Sequence, residues 1–495
     1  TGKTHKLISR AKAYIRVGTP LDRIGYFAFT KKAAKEAKER MPFPPKRLRH
    51  FQTLHSLAFN TLSLSEDRVM QPYHYEDLGK LLNIRVRYQD KFNKEETHFL
   101  TCDNPYYQLI GRAMNKDISI EEEFNLNEHN RNDVSWNTLK HISTNLVEYK
   151  KNNNLIDFND MIHQFINEAE KCPEFDTIFI DEAQDLSKLQ WKMFEVLKQK
   201  SKHIYLAGDD DQAIFSWAGA DVDSFIDVKA DKEIILNKSR RIPKKVQTYA
   251  LQIIDRIQGK KVAKNYKARE VDGKVEKISD LSQINIKEGK WLILARTGSR
   301  LRNIMDELKR RGIYCATKKE KSFSEKLYRT ILLYQRWCKG EPLEEHQMKE
   351  IKEYTGEEQL DKDIPWFDSF VAAKYEDKLN IRNLLSNGEK LSDKPRVFLS
   401  TIHSIKGGEE ENVIVALDLA HKIRKALQRS QAKRDEEHRV FYVAYTRAAQ
   451  NLYLLKEKST ILKNKWEKHT KNYCKITNDF LVINEIYNYY IYISF

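Results

Sequence analysis

"TIFIDEAQDLSKLQWKMFEVLK", residues 177–198, decides how this chain is read. An apolar run, Thr177–Asp181, ends in two adjacent acids and passes directly into a helical segment. Buried strands of parallel sheets read as continuous apolar runs, and the helices between them make the crossovers. Two acids opening a helix can be no more than solvated carboxylates favoured by the helix dipole. That reading leaves unexplained the buried strand before them and the Gln184-Asp185 pair after them. The alternative gives Asp181 to a divalent cation and Glu182 to an attacking water, the two roles that nucleoside triphosphate hydrolysis needs.

The same strand-then-helix unit recurs outward in both directions. "IGYFAF" (24–29) runs into "TKKAAKEAKERM", and "IYLAGD" (204–209) follows the central stretch. Further on come "WLILA" (291–295), "VFLST" (397–401), "VIVALD" (413–418) and "NLYLL" (451–455). The strands fall into one group before about residue 235 and one after 290, which predicts two α/β lobes with parallel sheets. Residues 65–150 and 336–394 are polar and mainly helical in pattern, and strand-helix order resumes after each, so both read as insertions. The expected layout is a first lobe in two parts (1–64 and 151–235), a second lobe in two parts (236–335 and 395–475), the two insertions, and an aromatic-rich tail (476–495).

Bulk properties narrow the class. At 495 residues the chain exceeds what one hydrophobic core supports. Lys and Arg number 87 against 71 Asp and Glu, a net charge of +16, which favours a polyanionic partner and nucleic acid first. The five cysteines are scattered without a CxxC pair or Cys/His cluster, which argues against a zinc or iron–sulfur site and fits a reducing compartment. The most apolar stretch, "FLVINEIYNYYIYISF" (480–495), carries Asn and Glu and falls short of the roughly 20 apolar residues of a membrane span. A cytoplasmic setting is expected, nucleoid-associated or in a host cytoplasm if the source is viral, with no membrane partner and no protein partner indicated.

Two other stretches carry chemistry. "TGKTHKLISRAKAYI" (1–15) matches the end of the phosphate loop G-x-x-x-x-G-K-[ST] running into a helix. Gly2 and Lys3 would cradle and neutralise phosphate, and Thr4 would ligate Mg²⁺. The chain is expected to be cut within that loop. "LAGDDDQAIFSWAGA" (206–220) places three acids side by side. Neighbouring side chains on an extended strand point to opposite faces, so these carboxylates are not expected to converge on one ion. Gln212 followed by Phe215 and Trp217 reads instead as a sensor loop on whose rings bases stack.

With these stretches in place, the chain resembles the superfamily 1A helicases of the UvrD/Rep group. The resemblance is collinear: the phosphate-loop end, "FAFTKKAAKEAKERM" (27–41), "TLHSLA" (53–58), "IDFNDMI" (156–162), "FIDEAQD", "GDDDQAIFSWAGA", "LNKSRRIP" (236–243), "LILARTGSRLRNIMDELKRRGI" (292–313), "VFLSTIHSIKGGEEENVIV" (397–415) and "EEHRVFYVAYTRAAQNLYL" (436–454). It implies two RecA-like lobes of the P-loop NTPase class and an ATP-dependent DNA helicase or translocase. Such a motor uses ATP and Mg²⁺ and moves 3′ to 5′ on single-stranded DNA at duplex junctions. By the same resemblance Gln212 senses the γ-phosphate, Arg241 and Arg447 reach it from the second lobe, and Glu409 hydrogen-bonds the ribose. Arg240 stands where the family has the tyrosine that stacks on adenine. Phe29, Phe215 and Trp217 stack bases, while Thr30, His55, Thr401, His403 and Ser404 line the strand's backbone. The insertion at 336–394 is much shorter than the family's second accessory domain. Two alternatives stay open: a DNA-binding or remodelling factor without productive hydrolysis, and the motor part of a helicase–nuclease. A P-loop signalling NTPase would not need "FSWAGA" or "TIHSIKGG".

Overall fold

In the computed structural model of the chain, which describes residues 2–86, 104–126, 134–262, 265–356 and 360–456, the apolar runs become two parallel sheets. The molecule divides into two compact units. Residues up to Lys244, with Ala250–Val271 and Lys425–Val443, form unit 1; Lys245–Tyr249, Asp272–Arg424 and the described residues from Ala444 onward form unit 2. The aromatic-rich stretch expected at 476–495 lies outside the described residues.

Unit 1 is built on β1 (Ile24–Phe27), β2 (Phe51–Gln52), β3 (Phe175–Asp181) and β4 (Ser201–Ala207), in the spatial order β2-β1-β3-β4 with every pairing parallel. Period-two alternation divides these strands between two cores. Phe27, Ile178 and Ile180 join one, packed by the helices Leu54–Thr61, Phe158–Asn167 and Lys188–Gln199. Ile24, Tyr26 and Phe179 join the other, covered by Leu7, Ile8 and Ala11 of the helix Lys3–Arg16. Apolar burial on both faces is what makes β1 and β3 read as unbroken apolar runs.

The first insertion has its own helical core of Tyr75, Leu78, Leu109, Ile110, Leu139, Ile142 and Leu146. Lys150, near the end of its helix Trp136–Asn152, bridges Asp157 at 2.9 Å and Asp160 at 2.6 Å. Asp157 also caps the next helix, accepting from the N–H groups of Asn159 and Asp160, so one buried cluster joins insertion to lobe.

Unit 1 also holds a small parallel pair, β5 (Lys238–Pro243) with β6 (Lys267–Arg269). A lobe boundary at 235/236 would assign these strands, and residues 425–443, to the second lobe; the structure groups them with unit 1. A set of partly buried polar ties links these segments to one another and to the sensor loop. The Asp435 carboxylate accepts from the backbone N–H groups of Gln258 at 3.2 Å and Gly259 at 2.8 Å, Arg439 donates to the Lys260 carbonyl, and Asp210 accepts from the Val262 N–H.

Unit 2 contains β7 (Lys274–Ile278), β8 (Trp291–Ala295), β9 (Cys315–Ala316), β10 (Val397–Thr401), β11 (Glu410–Ala416) and β12 (Ala448–Leu455), ordered β7-β12-β11-β8-β10-β9 and parallel throughout. Its second insertion packs Phe323, Leu327, Ile331, Tyr334, Ile351, Phe370, Ile381 and Leu384 into a separate core. A boundary at 335/336 therefore cuts the helix Glu325–Cys338, whose apolar stripe faces the insertion from its first turn. Among the described residues no helix is long and apolar enough to cross a membrane.

Candidate active site

The site in unit 1 starts at Gly2, whose φ of +92° caps the helix Lys3–Arg16 with a left-handed residue and leaves open space beside its α-carbon. The first-turn N–H groups of that helix lack intrahelical partners and form an anion-binding end. Thr4, in the first turn, donates its hydroxyl to Asp181 Oδ2 at 2.6 Å. Tyr26 on β1 donates to the same oxygen at 2.9 Å, and the Glu182 N–H donates to Oδ1 at 3.0 Å. Asp181 is buried at the end of β3. Burial, with the Glu182 charge beside it, raises its carboxyl above the ordinary carboxylate range against the lowering pull of Thr4, Lys3 and Tyr26. A hydroxyl and a buried carboxylate in contact are hard oxygen donors of the kind Mg²⁺ takes, and a cation there would oppose that upward shift.

Glu182 adopts φ +56°, a left-handed conformation that costs a non-glycine residue about 1–3 kcal/mol and persists only where its surroundings hold it. The Lys3 ammonium lies 3.8 Å from Glu182 Oε1, and the Gln184 amide donates to Oε2 at 2.7 Å. The phosphate-loop residues, the buried acid and the water-side acid, 177 or more positions apart in sequence, thus meet in one cluster.

The sensor loop differs from its expected geometry. β4 ends at Ala207, and Asp210–Gln212 forms a short 3₁₀ turn instead of extended strand. The alternation argument then no longer applies, and one carboxylate oxygen from each of Asp209, Asp210 and Asp211 lies within 4.8 Å of the others. The expectation that these acids diverge is therefore corrected. Asp209 accepts from Gln212 Nε2 within the loop at 2.5 Å, and Asp210 accepts from the N–H of Val262, 52 positions away, at 2.9 Å. Farther along, Phe215 is only 5% exposed and packs against Phe29 with ring centroids 5.3 Å apart, whereas Trp217 is 41% exposed. Phe215 therefore supports the loop from beneath; its ring is not presented for stacking as expected. Gly219 is required where it stands: its φ is +97°, and a Cβ there would come within 2.5 Å of Asn115 Cβ.

Thr30 caps the helix Lys31–Glu39, accepting from the Ala33 N–H at 3.1 Å. His55 is buried edge-on against Phe158, and burial, with a smaller contribution from the Lys31 charge, pushes its pKa down to about 3. The ring is neutral at physiological pH, so it offers a DNA backbone no positive charge. Arg240 is exposed on β5 and Arg241 is half-buried beside it, its N–H donating to Ser239 Oγ. Both belong to unit 1, not to the second lobe.

Unit 2 carries the remaining set. Arg447 is 1% exposed, donating from Nη1 to the Gly408 carbonyl at 3.2 Å and from Nη2 to Thr446 Oγ1 at 3.3 Å. It is thereby held at the turn that also carries Glu409, which is exposed. Thr401 at the end of β10 donates to Ser404 Oγ at 2.9 Å and accepts the Ser404 N–H, which folds the turn bearing His403. Two residues to which sequence reasoning gives no role enter the site: Tyr26, in contact with Asp181, and Gln184, in contact with Glu182. Tyr26 is signalled only by its register opposite Phe179, a pairing that sequence does not reveal.

Two family models and several curated proteins match the chain. Residues 1–233 match the model of the UvrD/REP helicase N-terminal domain, and residues 343–459 match that of the UvrD-like helicase C-terminal domain. The chain is 26% identical over 247 residues to an ATP-dependent DNA helicase PcrA of Staphylococcus epidermidis, an alignment covering 46% of this chain and 32% of that protein. It is 27% identical over 295 residues to a probable DNA helicase II homolog of Mycoplasma genitalium, covering 52% and 40% respectively. A PcrA of Staphylococcus aureus matches at 32% over 114 residues, 21% of this chain and 16% of that one. The matches thus span about a third to two fifths of the length of the first two of these relatives. With its two domain models covering most of the sequence in the order that the motifs predict, the chain belongs to the UvrD/REP helicase family.

Proposed function

We propose that this chain is the motor of an ATP-dependent DNA helicase or translocase that moves 3′ to 5′ along single-stranded DNA in the cytoplasm and acts at duplex junctions. The observation that carries the reading is the cluster in which Thr4 meets Asp181 at 2.6 Å while Lys3 approaches Glu182 at 3.8 Å. Those four groups supply the metal ligands, the phosphate counter-charge and the water-activating base of phosphoryl transfer. Thr4 and Asp181 would hold Mg²⁺, which when bound neutralises charge developing on the β- and γ-phosphates. Glu182, positioned by Lys3 and Gln184, would orient the attacking water and take its proton. Gly2 and the helix N-terminus would cradle phosphate oxygens. Gln212 would read the γ-phosphate, Arg241 and Arg447 would stabilise charge on the transferred group, Arg240 would lie on the adenine, and Glu409 would bind the ribose.

Trp217 and Phe29 would stack bases, with Phe215 as their support, a sequence-tolerant interaction suited to a moving strand. Thr30, Thr401, His403 and Ser404 would follow the backbone, and any contact from His55 is a neutral one. The net charge of +16 supports backbone affinity that weakens as salt rises.

The test is ATP hydrolysis by the full-length protein with and without a single-stranded oligonucleotide, in wild type and Glu182→Gln. The expected result is strong stimulation by DNA that disappears in the variant. Equal rates with and without DNA in the wild type would refute the motor. Unwinding of duplexes tailed at the 3′ or the 5′ end tests the direction.

A further inference from the structure

Gln184 is fully buried between the two segments that the proposed chemistry uses. Its Nε2 donates to Glu182 Oε2 at 2.7 Å and to Asp185 Oδ2 at 3.3 Å, while its Oε1 accepts from the Asp209 N–H at 2.8 Å. Those partners fix the amide orientation, because the flipped form would place its oxygen against two carboxylates and its NH₂ against an N–H donor. Asp209 in turn accepts from Gln212 at 2.5 Å, and the same loop continues to Phe215 and Trp217. A single planar amide therefore joins the Glu182 carboxylate to the backbone of Asp209 in the sensor loop. The space around it is closed as well: a Cβ on Gly208 would fall 2.9 Å from Gln184 Oε1 and 2.4 Å from the Phe225 ring. Residue 209 and Glu182 thus share one buried amide, and Glu182 sits in a left-handed conformation that its neighbours must maintain.

We infer that Gln184 is a positioning residue that couples DNA occupancy of the Trp217 loop to the orientation of the Glu182 carboxylate, an inference that rests on the proposed motor function. When a strand settles on Trp217, the loop draws Asp209 and the Gln184 amide into one register, and Glu182 is held where it can take the proton of the water. Without the amide, strand binding still occurs but no longer orders the base.

Two variants test this in the full-length protein. Gln184→Leu keeps the volume and removes both hydrogen-bonding ends; Gln184→Asn keeps the amide on a stem one methylene too short to span Glu182 and Asp209. Measured quantities are kcat with and without a single-stranded oligo-dT, the KM for ATP, and the affinity for a fluorescent ATP analogue. The expected outcome is a roughly 10–100-fold fall in the ratio of DNA-stimulated to basal kcat, the scale of an ångström-level misplacement of a reacting group. KM, analogue affinity and oligo-dT affinity should stay within about twofold of wild type, which separates orientation from binding. A purely structural role would lower analogue affinity and both rates together, and that result overturns the inference. So does a wild-type stimulation ratio in both variants. A wild type that DNA does not stimulate refutes the motor function itself, which distinguishes the two failures. Should Gln184→Leu fail to fold, Gln184→Asn decides alone.

Discussion

Lowering the pH should destabilise unit 1 through His55, by an amount that follows from its burial. The ring is enclosed beside Phe158, and its pKa falls from the ordinary 6.5 to about 3, chiefly through burial and secondarily through the Lys31 charge. A depressed folded-state pKa means that the unfolded chain takes up the proton first. The stability His55 contributes is therefore intact above about pH 6.5 and is lost progressively as pH falls toward 3. Between pH 8 and pH 5 the unfolded state gains about 2 kcal/mol from protonating this one ring, and each further unit of acid adds about 1.4 kcal/mol until the folded form titrates. For a unit of this size, 2 kcal/mol corresponds to a drop of about 4–8 °C in Tm. The assay compares wild type with His55→Gln by thermal or urea unfolding at both pH values. His50 and His74, also lowered by burial, are present in both proteins and cancel in the difference. Wild type should lose about 2 kcal/mol more than the variant. Parallel pH trends in the two proteins would refute the buried, neutral ring and reopen a charged contact between His55 and DNA phosphate.

Replacing Glu123 by Gln should cost about 1–3 kcal/mol, because Arg112 and Lys116, each 2.7 Å from this buried carboxylate but themselves partly exposed, would lose charge-assisted hydrogen bonds; urea unfolding followed through the first insertion measures it, and a loss below about 0.5 kcal/mol would show the carboxylate charge to be dispensable. Trp217→Ala should weaken oligo-dT binding by the equivalent of one stacked base, about 1–3 kcal/mol, with ATP-analogue affinity unchanged; fluorescence anisotropy reads both, and equal DNA affinity would remove Trp217 from the strand's path. Thr4→Val removes the hydroxyl that contacts Asp181 while keeping the side chain's shape. The Mg²⁺ concentration for half-maximal hydrolysis should then rise by at least the roughly 10-fold that losing even a residue supporting a metal ligand costs, and an unchanged requirement would exclude Thr4 as a ligand.

What sequence discloses here depends on which physical constraint shaped each segment. β8 and β10 occupy the very residues predicted, 291–295 and 397–401, because strands buried on both faces must be apolar from end to end. Strand order leaves no such trace, since β11 must find β8 and β12 across intervening helices and an inserted domain. The second insertion begins earlier than composition suggests for a related reason. Polarity shifts near residue 336, but the boundary is set by the buried side of the helix Glu325–Cys338, where Leu327, Ile331 and Tyr334 already face the insertion core. Segments 250–271 and 425–443 are joined to each other by Asp435, which accepts backbone N–H groups about 176 positions away, and to the rest of unit 1 by contacts such as Asp210 with the Val262 N–H, pairings with no local pattern.

The acid triplet shows how one local misjudgement hides a site's wiring. Reading residues 204–209 as strand makes Asp209, Asp210 and Asp211 alternate, which separates them and leaves Gln212 as an isolated sensor. The structure overturns this: β4 ends at Ala207, Gly208 passes close against Phe225 and the Gln184 oxygen, and Asp210–Gln212 turn into a 3₁₀ segment. That turn brings the acids together and aims the Asp209 N–H at Gln184. Motif matching assigns roles to Glu182 and Gln212 separately, as though each acted on the nucleotide alone. The intervening amide makes them ends of one hydrogen-bonded line, Glu182–Gln184–Asp209–Gln212, so perturbing any member should alter hydrolysis and its response to DNA together. Variants along that line should therefore be strongly non-additive: once Gln184 is removed, mutating Gln212 should cost the stimulated rate much less than it does in the wild-type background.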